Sequence, residues 1–339
     1  MILVPESVRL GDRELLAQAA TLADCPDVRD CSRSAIQDFS RRSGMDLATA
    51  LLYDRIVRGS ANRDFMQRVQ AVASGEVQLP LVGIVPGAFY RDHSHTGADG
   101  AAVAKNLEGL GCRVECVPVA SFGPLAANAA IIHQWLEQHR SKKVALVSLS
   151  KGTADVKVSL ALPNAAERFQ NVAAWISVSG LPQGTPLVGW LDRQPLRRLG
   201  VKLWLWWRNQ SYSVVEELND SPGSPLKPWP VLPDGLKIVH VVGFPRRQHL
   251  THPWAQHAYE RLRPLGPNDG GGLLLADAAH LPGVVLPVWG ADHYLQPAWD
   301  VTALLRRVFS AVFTLPAEGR QASQSASQPN TPPVNKSSA

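Results

Sequence analysis

The feature that most constrains the fold is an alternation of two patterns that runs from Leu79 to Phe313. Short runs of Val, Ile and Leu alternate with longer segments whose apolar residues recur at helical spacing. Strands that are separated by helices favour a parallel sheet, because a parallel neighbour requires a crossover connection. The sequence therefore predicts an α/β fold, with a mostly parallel central sheet and helices on both faces.

The predicted strands are short, aliphatic and bounded by Gly, Pro or charged residues. They cover Leu81 to Pro86, Cys112 to Val119, Lys143 to Leu149, Val172 to Ser179, Leu236 to Phe244 and Gly283 to Trp289. The predicted helices between and after them cover Gly97 to Leu110, Leu125 to His139, at least the first part of Lys151 to Phe169, and Ala298 to Phe313.

Three segments depart from this alternation. Residues 1–78 have helical patterns and predict a helical N-terminal extension that packs on a main domain of residues 79–315. Residues 180–235 are rich in Pro and Trp and form an insert in that domain. Residues 316–339 consist largely of Ser, Gln, Pro and Ala, a composition that predicts a disordered tail.

Charge and hydropathy exclude several classes of protein. The net charge is +5 over 339 residues, and Lys and Arg are scattered along the chain rather than concentrated in one stretch. This pattern disfavours a nucleic-acid partner. The first residues lack the pattern of a signal peptide, and no run approaches the roughly 18 apolar residues of a membrane span. We therefore expect no integral membrane segment and a cytoplasmic location, and oligomeric state stays open.

Cysteine, histidine and glycine patterns predict no cofactor and no metal. The four cysteines lack the C-x-x-C spacing of zinc or redox sites and are expected to be thiols. His93 and His95 resemble the start of a metal-binding run, but the Asp and His that would complete it do not follow. We expect these two residues to line the mouth of a pocket. No phosphate-binding glycine motif occurs.

The segment from Val144 to Thr153, VALVSLSKGT, indicates a strand that ends in a nucleophile elbow. Ser150 stands at the tip, with small residues, Ser148 and Gly152, two positions to either side. A serine on a strained strand-to-helix turn can expose its hydroxyl only if such neighbours leave room for it. On this motif alone, an ordinary helix cap is the competing interpretation.

A serine elbow requires a histidine base, and His293 is the candidate. It follows the last predicted strand in the segment from Val288 to Tyr294, VWGADHY. Ligands and catalytic groups lie at the carboxyl ends of strands in parallel sheets. Imidazole can take the serine proton and return it to the leaving group because its pKa lies near neutral pH.

The acid that orients this histidine should lie between Phe244 and His293. Two residues fit: Asp269 in an Asn-Asp-Gly turn, and Asp277 eight residues later. The adjacent Asp292 is expected to point elsewhere.

The oxyanion hole requires two backbone N–H groups near the nucleophile. One belongs to the residue after the serine, Lys151. The other is expected in the segment VPGAFY after the first sheet strand, from Ala88, with Phe89 as the neighbouring alternative. Gly87 would let this backbone come close to a bound substrate.

Together these residues resemble the α/β-hydrolase superfamily, and more narrowly its bacterial lipase-like and esterase-like members. The resemblance extends from about Leu79 to Phe313. The segment LPQGTP from Leu181 is similar to the P-x-G-[ST]-P segment of lipase-like proteins, and the residues from Asn268 to His293 are similar to their acid-to-histidine block. The aspartate of the Asn-Asp-Gly turn is the acid in that family, so the resemblance favours Asp269. It also implies that residues 180–235 form a cap or lid.

The resemblance implies a serine hydrolase that cleaves a carboxylic ester with a hydrophobic acyl group and uses no cofactor. Thioester hydrolysis, acyl transfer, or a non-catalytic binding protein of the same fold are the alternatives. Two positions depart from the usual motif. Ser148 replaces the first glycine of the elbow, and Lys151 places a cation beside the nucleophile. The Lys151 side chain would either favour an anionic substrate or extend to water, and we expect the second.

Overall fold

The computed structural model describes residues 10–71, 79–93, 96–295 and 301–313. A sheet of six parallel strands forms its centre, in the order β2-β1-β3-β4-β5-β6. The strands are β1 (Leu81–Val85), β2 (Arg113–Cys116), β3 (Val144–Leu149), β4 (Val172–Val178), β5 (Lys237–Phe244) and β6 (Val284–Trp289). The predicted α/β class with a parallel sheet is therefore confirmed.

Helices cover both faces of this sheet. In the described ranges four helices precede the sheet: α1 (Leu10–Thr21), α2 (Arg33–Ser43), α3 (Met45–Arg58) and α4 (Ser60–Ala71). Seven lie between the strands up to β5: α5 (Ala101–Glu108), α6 (Leu125–Gln138), α7 (Lys151–Ala161), α8 (Ala165–Arg168), α9 (Pro186–Asp192), α10 (Pro195–Trp207) and α11 (Ser213–Glu217). The remaining three are α12 (Pro253–Leu262), α13 (Leu275–Ala278) and α14 (Val301–Phe313).

The two faces of the sheet follow from the alternation of side chains along each strand. In β1, Val82 and Ile84 pack in one apolar cluster with residues of α4, α5 and α14. Leu81 and Val85 point the other way and pack with residues of α6 and α7. A strand buried on both sides must be apolar at every position, which explains the continuous aliphatic runs of the sequence.

The N-terminal helices are part of the core. Leu51, Leu52 and Ile56 of α3 are fully buried in one cluster with Phe244 of β5 and Trp289 of β6. Helix α3 therefore packs directly against strands β5 and β6.

An arginine bridges three separate parts of the chain. Arg33 in α2 forms two hydrogen bonds of 2.5 Å with the carboxylate of Asp277 in α13. A third, of 2.7 Å, joins it to Asp220 in the loop that follows α11. The guanidinium thus connects the N-terminal helices, the insert and the loop between β5 and β6.

Several boundaries differ from the prediction. The helix expected over at least the first part of Lys151 to Phe169 ends at Ala161, because Leu162 precedes a proline and has an extended backbone. The strand expected from Cys112 ends at Cys116, and the helix expected from Gly97 begins at Ala101. The insert contains helices α9 to α11, which the sequence did not predict. The expected tail, residues 316–339, lies outside the described residues.

Candidate active site

The three residues expected to form a triad meet at the carboxyl edge of the sheet. Ser150 directly follows β3, Asp269 lies in the loop between α12 and α13, and His293 follows β6. His293 Nε2 is 3.0 Å from the Ser150 hydroxyl oxygen, and His293 Nδ1 is 2.6 Å from Asp269 Oδ2. A continuous hydrogen-bonded chain therefore runs from the serine through the imidazole to the carboxylate.

Ser150 occupies a strained turn. Its φ of 47° and ψ of −116° are unfavourable for a residue with a side chain and carry a strain on the order of 1–3 kcal/mol. The turn is closely packed because a Cβ on Gly152 would lie 2.5 Å from the carbonyl oxygens of both Val85 and Pro86. Only glycine lets the start of α7 come this near to the end of β1.

Ser148 explains the departure from the usual elbow motif. Its side chain is fully buried, and its hydroxyl oxygen accepts a hydrogen bond of 2.8 Å from the indole N–H of Trp175. The same hydroxyl lies 2.8 Å from the hydroxyl of Thr153. Serine at this position therefore supplies polar partners beneath the turn.

The loop around Asp269 holds the carboxylate firmly. Asp269 Oδ1 accepts hydrogen bonds from the backbone N–H groups of Gly271, Gly272 and Leu273, at 2.8, 3.0 and 3.0 Å. The His293 N–H donates to the Asp269 carbonyl at 2.7 Å, so backbone and side chains join the two residues. Asp277, the alternative acid, is instead paired with Arg33.

A glycine that sequence reasoning missed lies against the imidazole. A Cβ on Gly271 would lie 1.9 Å from Cγ of His293, within the space of the ring itself. The run of three glycines after Asp269 was the available signal. Gly271 therefore sets how closely the acid loop and the histidine can approach.

The hydrogen bonds of the loop after β1 distinguish the two candidates for the second oxyanion donor, Ala88 and Phe89. The Phe89 N–H donates to the carbonyl of Ser121 at 2.9 Å, and the Gly87 N–H donates to that of Ala98 at 2.8 Å. Within the described part of the chain, the Ala88 N–H has no hydrogen-bond acceptor. A Cβ on Gly87 would lie 3.4 Å from Cβ of Ser150, so this loop borders Ser150. The geometry favours Ala88 over Phe89.

The Lys151 side chain does not extend to water, and that expectation is wrong. It is only 2% exposed, and its ammonium lies 2.7 and 3.0 Å from the two carboxylate oxygens of Asp155, one helical turn along α7. Burial raises the pKa of Asp155 to about 6, although Lys151 and Asn128 oppose that shift. The charge of Lys151, next to Ser150 in the chain, is thus neutralised inside the protein.

This ion pair continues into a polar network beneath the loop of Ala88. The Asn128 amide donates to Asp155 at 3.1 Å and to the Ala120 carbonyl at 3.2 Å, and its oxygen accepts from the Ala120 N–H at 2.9 Å. The next residue, Ser121, accepts the Phe89 N–H. The network therefore links the first turn of α7 to the loop after β1, which carry the two expected oxyanion donors.

The side chain of His293 is buried, with 6% of its surface exposed. Burial opposes its charged form and lowers the pKa of His293, but the charge and hydrogen bond of Asp269 and the charge of Asp292 outweigh this effect. The pKa of His293 is therefore raised above its ordinary value of 6.5. Asp292 itself accepts the Tyr294 N–H at 2.9 Å.

Other candidate residues take no part in this arrangement. The His93 ring contacts Phe89 and Trp254, with centroids 6.3 and 5.3 Å apart, whereas His95 lies outside the described residues. Across the described ranges, no three His, Cys, Asp or Glu side chains are grouped so that they could hold a metal ion. In the same ranges, no helix has the length and apolarity needed to cross a membrane.

Comparison with known proteins identifies the fold. No family model and no curated protein matches the sequence. A metagenomic carboxyl esterase superposes with a TM-score of 0.51 at 20% identity, over 75% of this chain and 78% of the other. The mature form of a Bacillus licheniformis lipase gives 0.51 at 18% identity, over 72% of this chain and 96% of the other. The chain therefore has the α/β-hydrolase fold.

The close contact between Gly152 and the end of β1 predicts that a larger residue at position 152 destabilises the protein. Gly152→Ala should lower the free energy of unfolding by about 1–3 kcal/mol, because the new methyl group would collide with backbone oxygens that side-chain rotation cannot move. Gly189→Ala is the control, since a Cβ there meets nothing within 4 Å on α9. Chemical denaturation measures both variants. Equal unfolding free energies would contradict this account of the elbow.

Proposed function

We propose that this protein is a serine hydrolase that cleaves carboxylic esters through an acyl-enzyme on Ser150. The observation that carries the proposal is the unbroken chain from the Ser150 hydroxyl through His293 to Asp269, at 3.0 and 2.6 Å. A carboxyl esterase and a lipase share its fold. Fold alone does not establish an activity, whereas the hydrogen-bonded side chains of the site supply the chemistry that ester cleavage needs.

In the acylation step, the Ser150 oxygen attacks the ester carbonyl while His293 Nε2 accepts its proton. Asp269 holds the tautomer in which Nδ1–H faces the carboxylate and stabilises the imidazolium. The N–H groups of Ala88 and Lys151 bind the oxyanion, where each donor contributes about a hundredfold to a thousandfold in rate. His293 then returns the proton to the departing alcohol, and water releases the acid by the reverse steps.

The insert supports a hydrophobic acyl substrate. The side chains of Val201, Trp204 and Leu205 in α10 pack with Phe89 and Phe122, beside the loop of Ala88. We infer that residues 180–235 form a cap over the site of a catalytic domain comprising residues 79–315. The buried Lys151–Asp155 pair removes the cation that could have selected an anionic substrate.

Covalent labelling tests the function directly. A fluorophosphonate probe should label the wild-type protein and Ser148→Ala, but not Ser150→Ala, because only the Ser150 hydroxyl faces His293. Gel fluorescence measures the labelling, and hydrolysis of a chain-length series of p-nitrophenyl esters measures the activity. A folded wild type that neither labels nor hydrolyses any ester would contradict the proposal and favour a binding protein.

The glycine against the imidazole gives a second test. Gly271→Ala should reduce kcat by at least about a hundredfold, because the added methyl group must displace the His293 ring from Ser150. Gly223→Ala, at a loop glycine where a Cβ meets nothing within 4 Å, should keep wild-type kinetics. Thermal unfolding of both variants shows whether they fold. A folded Gly271→Ala enzyme with unchanged kcat would rule out this positioning role.

The pH profile follows from the raised pKa of His293. Since the neutral imidazole is the base, kcat/KM should fall as the pH decreases through that pKa, with a midpoint above about 6.5. Asp292→Asn removes one charge that raises the pKa, so its midpoint should move to lower pH while the plateau is kept. Asp38→Asn, an exposed carboxylate on α2, is the control. Coincident profiles for Asp292→Asn and the wild type would contradict this assignment.

A further inference from the structure

The outer surface of α10 is apolar and exposed. Six of the eight exposed large hydrophobic side chains in the described residues lie on this one helix. Leu196 is 84% exposed, and Trp206 and Trp207 are each 75% exposed. We call the stripe formed by Leu196, Leu199, Leu203, Trp206 and Trp207 the α10 outer face. A contiguous group of exposed large apolar side chains on a folded protein marks an interaction surface.

The stripe is a coherent face of the helix. With 3.6 residues per turn, its five residues fall within an arc of roughly 100°. Leu205 lies on the opposite side of the helix, where it is buried with Phe122. A helix that is apolar on two opposite sides is normally covered on both. Within the described residues, the protein covers only the inner side of α10.

The charged residues around the α10 outer face indicate the kind of partner that would cover it. The thirteen residues of α10 include no Asp or Glu, and Arg197 and Lys202 lie on either side of the apolar arc. Arg193 lies just before the helix and is also exposed. Arg198 is paired with Asp192 and Glu216, but Arg193, Arg197 and Lys202 form no ion pair within the described part of the chain. The rim of the stripe is therefore positively charged.

We propose that the α10 outer face binds an anionic lipid surface, with the helix lying in the plane of the interface. A helix with large aliphatic and Trp side chains on one face and basic residues at its edges is the kind that inserts among headgroups and attracts anionic lipids. Trp206 and Trp207 suit that depth because the indole ring is amphipathic. Trp204 of the same helix, at the edge of the outer face, contacts Phe89 in the loop of Ala88, so the surface would lie beside the candidate active site.

Vesicle sedimentation tests this binding without any enzyme assay. The wild-type protein should pellet with vesicles made of equal parts phosphatidylcholine and phosphatidylglycerol, and much less with phosphatidylcholine alone. Leu203→Gln combined with Trp207→Gln should weaken binding to the anionic vesicles by at least about tenfold, because both side chains would leave the interface. Both positions are exposed, so the fold should tolerate the change, and circular dichroism verifies it.

Two further variants separate the contributions. Val231→Gln is the matched control, an exposed apolar residue of the insert outside α10, and it should bind as the wild type does. The triple variant Arg193→Gln, Arg197→Gln and Lys202→Gln should lose the preference for anionic vesicles, by about fivefold for each charge removed. Ser150→Ala should bind unchanged, because the proposed surface does not include the nucleophile. Vesicle binding and ester hydrolysis can thus fail independently.

Several outcomes would overturn the proposal. The first is a folded wild-type protein that does not sediment with either kind of vesicle. The second is a Leu203→Gln and Trp207→Gln variant that binds as tightly as Val231→Gln. The third is a lipid-free dimer on size-exclusion chromatography that this double variant converts to a monomer, because the stripe would then join two copies of the chain.

Discussion

The close approach of Gly152 to the end of β1 is the contact on which the geometry of the site depends. It follows from the parallel pairing of β1 with β3, which brings the carbonyl groups of Val85 and Pro86 beside the first turn of α7. That contact holds Ser150 in a backbone conformation that costs free energy, and the surrounding sheet must provide the compensating stability. The same pairing brings Gly87 against Ser150, so Ser150 and the loop of Ala88 are positioned by one piece of backbone.

Much of this arrangement could be predicted because it depends on local backbone requirements. Gly152 marks a turn that tolerates no side chain, and the aliphatic runs before Ser150 and His293 mark strands buried on both faces. Parallel strands end at a common edge, so residues far apart in sequence can be placed together. The structure places His293 within hydrogen-bond distance of both Ser150 and Asp269, while the catalytic roles of the three residues remain predictions.

The remainder depends on packing that a sequence pattern does not reveal. The sequence predicts that the Lys151 side chain extends to water, but it pairs with Asp155, four residues later. This spacing permits an ion pair on a helix but does not show whether the pair is buried. The residues alone do not distinguish Asp269 from Asp277 as the acid. The distinction depends on Arg33, more than 200 residues away in sequence, which pairs with the carboxylate of Asp277. Likewise, the apolar stripe of α10 looks like core in sequence, since periodicity does not distinguish a covered face from an exposed one.

The contacts of Arg33 predict what removal of the N-terminal helices would do to the rest of the fold. Without the N-terminal helices, the carboxylates of Asp277 and Asp220 would lose their shared guanidinium, and the apolar surfaces of Phe244 and Trp289 would face water. Asp277 lies only eight residues after Asp269, in the same connection between β5 and β6. A chain trimmed to begin at Leu79 would therefore lack packing partners next to the loop that carries Asp269. The N-terminal helices therefore contribute packing and an ion pair to the connection that carries Asp269.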